Sequence, residues 1–301
     1  MSWTAVARKD FHDSVRSLLL WGVVVVFVLF AGLLAFLYAN YFFDVLGVSD
    51  PTAETVTFGF VLLMTGNFPL LQFGVGPVLA LVPVIGLLLG YKSIAGERDS
   101  GQIKILLGLP HSRLDVVVGK FAGRSTVALI GIAVGFSVAA LIVLVLKSIE
   151  PVIFIQFVVA VALFTLVHVS IGVGISAASP SSTLSLIGVM GFVGIFQVLW
   201  GATFFVLNAF VFEFSGQPPD WFRFLRNLSP GRAYDGLMAS VVPRYAEYKS
   251  EIASNATAGA GTEPVGDAFF TQDWFGVLVL VFWAVVPLAI GYWRFETDDL
   301  G

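Results

Sequence analysis

Apolar residues in this chain gather into six runs, at roughly 18–39, 77–92, 121–146, 152–175, 183–212 and 274–293. About twenty apolar residues cross a bilayer as a helix, because the rise is about 1.5 Å per residue through a hydrocarbon core of roughly 30 Å. The pattern predicts an all-α polytopic membrane protein: six transmembrane helices in a single domain over residues 1–301. Ahead of the first run the pattern changes. At 100° per residue, Trp3, Val6, Ala7, Phe11, Val15 and Leu18 share one half of a helical wheel, and Arg8, Lys9, His12, Asp13 and Arg16 take the other. Such a helix, over residues 3–17, is expected to lie in the membrane interface, although an ordinary lead-in to a span has a similar pattern. The run behind it reads as a permanent anchor. It is longer than the apolar core of a cleaved leader, and Asp10 and Asp13 stand among the basic groups ahead of it.

With 57% hydrophobic and only 12% charged residues, the chain is excluded from the soluble classes. The absence of cysteine removes disulfide and thiolate chemistry, and His12, His111 and His168 lack any metal-ligand spacing, so no metal site is expected. No paired carboxylates or Ser/His/Asp arrangement share one face of the membrane, so no catalytic residues are assigned, and nothing points to nucleic acid. The main polar residues inside the runs are Gln156, His168, Gln197 and Asn208. None is a carboxylate, whereas ion-coupled carriers rely on ionisable groups at that depth, which argues against secondary transport.

Charge assigns the sides. Six of the sixteen Lys and Arg residues fall between Lys92 and Arg124; Arg8, Lys9 and Arg16 precede the first run, Arg294 closes the last, and 40–76 contains no basic residue. Cytoplasmic loops beside spans collect Lys and Arg, so both termini and the loop 93–120 are expected inside the cell membrane, and the long segment 213–273 outside it. Two glycosylation-type sequences, at Asn227 and Asn255, fall in that outer segment.

The loop after the second run is the one charged, motif-like segment between spans. Glu97, Arg98, Asp99 and Ser100 form a polar cluster, Gly101 permits a turn, and Glu97 and Arg98 are expected to hold the loop's shape as a charge pair. Ile103, Ile105, Leu106 and Leu107 are too few to span and too apolar for solvent, so they call for a partner surface. Pro110 then interrupts the chain, and Ser112, three residues before Asp115, makes a capping-box start to a helix running from Arg113 into the third span. A short helix, a Pro corner and a helix continuous with a span make a lever, though a well-capped turn without a partner fits the same residues.

Within the spans, Gly86/Gly90, Gly119/Gly123 and Gly131/Gly135 recur at the spacing that lets helices approach closely, more often inside one subunit than between two. Pro77 and Pro83 are expected to bend the second span. The fifth carries Phe192, Phe196, Gln197, Trp200, Phe204, Phe205 and Asn208, large rings mixed with two amides.

The string Glu97-Arg98-Asp99-Ser100-Gly101-Gln102-Ile103-Lys104, followed by Leu106-Leu107, Leu109-Pro110, Ser112-Arg113 and Gly119-Lys120, resembles the cytoplasmic loop of type-2 ABC transporter permeases, with Gln102 where Thr is common. Leu228-Ser229-Pro230 and Tyr234 after the fifth span agree with that family. The chain is also similar to the subgroup that includes the permease of nitrous-oxide-reductase maturation and the sodium and multidrug exporters. The resemblance implies an exporter subunit in which two permease chains pair as a homodimer in the lipid membrane. A separate cytosolic ATPase docks on each loop through Glu97, Arg98, Asp99, Gly101, Ile105, Leu106, Leu107, Pro110 and Arg113. This chain has no phosphate-binding loop of its own, so ATP and Mg belong to the partner. In such permeases the second and fifth spans border the path, which makes Phe192, Phe196, Gln197, Trp200 and Asn208 candidates for lining it. The alternatives are a membrane subunit serving maturation or assembly of an extracytoplasmic metalloprotein, and an ATP-independent carrier or channel.

Overall fold

The computed structural model describes residues 3–67, 76–103, 108, 112–212, 218–260 and 268–298. Among them, six helices are long and apolar enough to cross a membrane: Val24–Val45, Pro77–Asp99, Arg113–Leu146, Pro151–Ala178, Ser182–Phe210 and Asp273–Thr297. The chain is an all-α polytopic membrane protein, with the spans where the apolar runs predict them. Contacts divide it into two compact units, Met1–Val189 with Ala284–Gly301, and Met190–Trp283.

The first unit opens with α1 (Trp3–Val15) and α2 (Leu18–Leu37), which continues through a π-helical turn, Tyr38–Phe42, into one further turn, Phe43–Leu46. Then follow α3 (Ala53–Thr65), α4 (Pro77–Gly90), α5 (Ala95–Asp99), α6 (Arg113–Leu146), α7 (Pro151–Ala178) and the start of α8 (Ser182–Val193). The capping box at the head of α6 is formed as the sequence predicts: Ser112 Oγ accepts from the Asp115 amide at 3.0 Å, and Asp115 Oδ2 accepts from the Ser112 amide at 3.1 Å.

α3 is an element that hydropathy overlooks. At 13 residues it is too short to span, yet Val56, Phe60, Val61 and Met64 are buried. Thr52 caps its start, and it ends at Gly66 in the left-handed region, φ 81°. Tyr38 holds it from the side, donating its hydroxyl to the Val56 carbonyl at 2.7 Å. Rings of Tyr38, Phe60, Phe136, Phe154 and Phe157 continue the contact across α2, α3, α6 and α7 at 5.2 to 6.4 Å.

The glycine pairs serve packing inside this unit. A Cβ on Gly90 would lie 2.6 Å from the carbonyl carbon of Gly172, and one on Gly86 2.7 Å from the Cβ of His168, so α4 and α7 cross almost backbone to backbone. Gly119 and Gly123 receive Val6 and Asp10 of α1, and Gly131 and Gly135 receive Val24 and Phe27 of α2. Pro77 differs from expectation. It occupies the first turn of α4, where a missing amide hydrogen costs nothing, so only Pro83 stands inside the helix. His168 is fully buried and its Nδ1 lies 2.9 Å from the Phe164 carbonyl of its own helix, with the two rings edge to face.

The second unit contains the rest of the fifth span, a π-helical turn Gly194–Leu199 followed by α9 (Trp200–Phe210). Beyond it lie α10 (Asp220–Asn227), α11 (Pro230–Val241), α12 (Pro243–Ala260), a single 3₁₀ turn Phe269–Thr271, and the first part of α13 (Asp273–Thr297). The segment read as a long loop is therefore largely helical. Pro230 sits at the first position of α11 behind the N-cap Ser229, and Tyr234 is fully buried on its inner face. Asn227 spends its amide on the Phe270 carbonyl at 2.9 Å, which does not suit a glycan acceptor; the Asn255 side chain lies outside the described residues.

Candidate coupling site

The charged loop begins where α4 gives way to α5. Two consecutive amides at the head of α5, Ile94 and Ala95, donate to the hydroxyl of Ser176 on α7 at 3.1 and 3.0 Å. Ser185 Oγ donates to the Tyr91 carbonyl at 2.7 Å, and Asp99 accepts the Ser182 amide at 2.9 Å, capping the start of α8. α5 is only five residues long and could not stand alone, so its shape comes from these tertiary hydrogen bonds. Gly101 follows at φ 73°, a left-handed turn that a side chain would strain.

Glu97 and Arg98 do not serve as each other's partners. One turn of helix sends them apart. Glu97 Oε1 accepts from Lys120 Nζ of α6 at 2.6 Å and from Lys9 Nζ of α1 at 3.2 Å. Lys120 also reaches Asp10 Oδ1 of α1 at 2.9 Å, and Arg124 Nε lies 2.9 Å from Asp10 Oδ2. The Lys120 and Asp10 side chains are only 3% and 1% exposed, so this is a desolvated charge cluster and not a surface pair. Burial works to lower the Lys9 ammonium, and the Glu97 and Asp13 carboxylates outweigh it, leaving Lys9 above its ordinary range.

Arg98 turns toward the end of the chain. It donates to Asp298 at 2.7 Å and to the Ala177 carbonyl at 3.0 Å. Arg113, assigned from sequence to the docking surface, is drawn to the same place: it donates to the carbonyls of Phe295, Glu296 and Asp298. Both guanidinium groups lie against the buried Phe295 ring, at 5.1 and 5.4 Å from its centre. Ile103 is buried with Val116, Val117 and Phe295, so the first of the loop's aliphatics finds its partner within the chain. Ile105, Leu106, Leu107 and Pro110 lie outside the described residues.

The sequence reading missed Asp10, Lys120 and Arg124. Their signal was present but weak: an acid on the inner line of α1, whose buried residues are Val6, Asp10 and Ser14, and two cations four apart at the head of α6.

The candidate path residues belong to the second unit. Phe192, Phe196, Trp200 and Phe204 form a continuous stripe of rings at 4.7 to 5.3 Å, with Trp283 packed on the first two. Trp200 Nε1 donates to the Arg226 carbonyl at 3.3 Å, and Gln197 is half-buried beside the stripe. The Oδ1 of Asn208 is buried without a hydrogen-bond partner among the described residues. A polar cavity of about 210 Å³ also lies in this unit, lined by Asn227, Arg232, Asp235, Lys249 and Asp273 among others. Burial raises the Asp235 carboxyl, while burial and the neighbouring Arg232 lower Arg226 to about 10.

Comparison with known proteins agrees with this architecture. A described probable ABC transporter permease protein, NosY of Stutzerimonas stutzeri, is 29% identical over 146 residues, 48% of this chain and 47% of the relative. Its namesake from Pseudomonas aeruginosa is 39% identical over 66 residues, 22% of this chain and 24% of its own. The matched part thus spans about half or less of these relatives' length. The family of ABC-2 transporter proteins matches residues 4–300, nearly the whole chain. This integral membrane chain therefore belongs to the ABC-2 transporter family, as the membrane subunit of an ABC transporter.

Proposed function

We propose that the chain is the membrane-spanning subunit of an ATP-driven exporter, paired with a second copy and moved by a separate cytosolic ATPase docked on each 93–120 loop. Both termini then lie in the cytoplasm, and ATP and Mg reside on the partner. The observation that carries this reading is the anchoring of α5, held through Glu97 to α1 and α6 and through Arg98 to α7 and the end of α13. Force applied at the loop is delivered to both ends of the chain together. Aliphatic residues in a loop at a membrane exit call for a dry partner surface, and the resemblance assigns that role to Leu106 and Leu107. Replacing both with Asp should abolish co-purification of the ATPase while the subunit still inserts; undiminished co-purification would refute the docking assignment.

The Phe192–Phe204 stripe with the amides of Gln197 and Asn208 offers a substrate apolar surface and a few orienting hydrogen bonds. Two subunits related by a two-fold axis would enclose that surface between them. Because the chain has no cysteine, single replacements at Phe196 or Asn208 should cross-link between subunits. Cross-linking confined to the third or fourth span would displace the path.

A second reading, service to maturation or assembly of an extracytoplasmic metalloprotein, draws on the likeness to proteins named NosY and on the folded helical character of the segment after the fifth span. ATPase activity that responds to such a protein and to no small solute would favour it.

A further inference from the structure

We infer that Lys120 is the positioning residue that makes α1 and the coupling loop one moving body. The inference rests on the proposed coupling to an ATPase and adds how the motion reaches the membrane surface. Three elements far apart in sequence meet at this single ammonium: Asp10 of α1 at 2.9 Å, Glu97 of α5 at 2.6 Å, and Lys120 itself at the head of α6. Gly119 and Gly123, on either side of it, let α1 lie close against α6, where a Cβ would fall 2.6 Å from Val6 and 2.9 Å from Asp10. Close packing and the Asp10 ion pairs together join α1 to α6. No comparable apolar seam is needed between α1 and α5, because Lys9–Glu97 spans that gap directly and Lys120, paired with both Asp10 and Glu97, bridges it. Charge-assisted hydrogen bonds of this kind are short and directional, so α1 follows the loop. α1 lies along the chain ahead of the first span, with Trp3 and Val15 exposed, so its displacement would be felt by the lipid surface and by α2.

The test separates a positioning role from a merely structural one. Lys120→Met leaves Asp10 with Arg124 and Glu97 with Lys9, so no carboxylate is stranded. The triple change Lys9→Met, Glu97→Gln, Lys120→Met removes the ion pairs that link α1 to α5 while Asp10–Arg124 still holds α1 on α6. Spin labels on cysteines placed at the exposed Ala5 and Ser100 report the α1-to-loop distance in the full chain, free and in complex with its ATPase. In the native background we expect one narrow distance that is unchanged between nucleotide-free and ATP-trapped states. The triple variant should broaden that distance and make it respond to nucleotide, Lys120→Met should give an intermediate width, and Lys120→Arg should restore the narrow distribution. A native distance that changes with nucleotide, or a triple variant as narrow as the native, would overturn the inference. Failure to capture any ATPase would instead count against the proposed function, and the width comparison in the isolated chain would still decide this point.

Discussion

The loop end of the first unit and the aromatic stripe of the second are built on opposite plans. In the first, charges are buried, each acid is matched to a cation on another element, and glycines bring helix backbones into contact. In the second, half-buried rings lean on one another, and Gly191, Gly194 and Gly201 of the fifth span face open space. Ion pairs and backbone crossings admit few arrangements. Ring stacks tolerate many, since offset and edge-to-face geometries differ little in energy. The first plan suits the force transmission proposed for the loop, and the second suits the guest proposed for the stripe.

The contrast can be broken most directly at Asp10. Asp10→Ala removes a partner of both Lys120 and Arg124 and should lower stability by about 3–5 kcal/mol, read as a large drop in thermal unfolding temperature of the purified chain. Next comes glycine. A side chain at Gly174 would run into the Pro287 carbonyl, so Gly174→Leu should cost at least about 1–3 kcal/mol, whereas Gly201→Leu should leave the melting temperature nearly unchanged. Equal losses at the two sites would erase the distinction drawn here. In the stripe, Phe196→Leu keeps apolar bulk and loses ring contacts worth about 0.5–1.5 kcal/mol, so ATPase stimulation by substrate should move more than stability does.

Acidity offers a gentler probe. Folding raises the Asp235 carboxyl, so the folded state holds a proton that the unfolded chain has released, and stability falls as pH rises from the ordinary carboxylate range through the raised value. Asp235→Asn should flatten that dependence in pH-resolved thermal unfolding. Smallest of all, Asp220→Ala breaks a surface pair with Arg223 and should cost at most about 1 kcal/mol in the same assay.

Much of the architecture was legible in the residues because the bilayer imposes it. Six runs of sufficient length, a Ser-x-x-Asp cap and recurring Gly-x-x-x-Gly each carry a local physical meaning, and each is found in place. The site was less so. Asp10 and Lys120 are separated by 110 positions, and no periodicity links them. Glu97 and Arg98 stood side by side and were read as partners, yet successive helical residues diverge by about 100° and each found a distant one. α3 escaped because hydropathy is tuned to spans, and a buried helix of 13 residues resembles an apolar loop. The stretch 213–273 has no apolar runs to reveal its helices, although Ser229 followed by Pro230 marks the start of α11.

The π-helical turns at Tyr38–Phe42 and Gly194–Leu199 change how this chain can vary over evolutionary time. Each accommodates a residue more than an α-helix of the same rise would hold. A single deletion inside Gly194–Leu199 could be absorbed by a return to α-geometry, with the span still crossing the membrane and everything before it undisturbed. The following residues, Trp200–Phe210, would keep their present facing, because the shortened α-helical stretch turns and rises about as far as the π-helical one that it replaces. Insertions and deletions, usually confined to surface loops, are therefore admissible in the middle of this span, and relatives that differ by one residue there would keep the facing of the helix that follows.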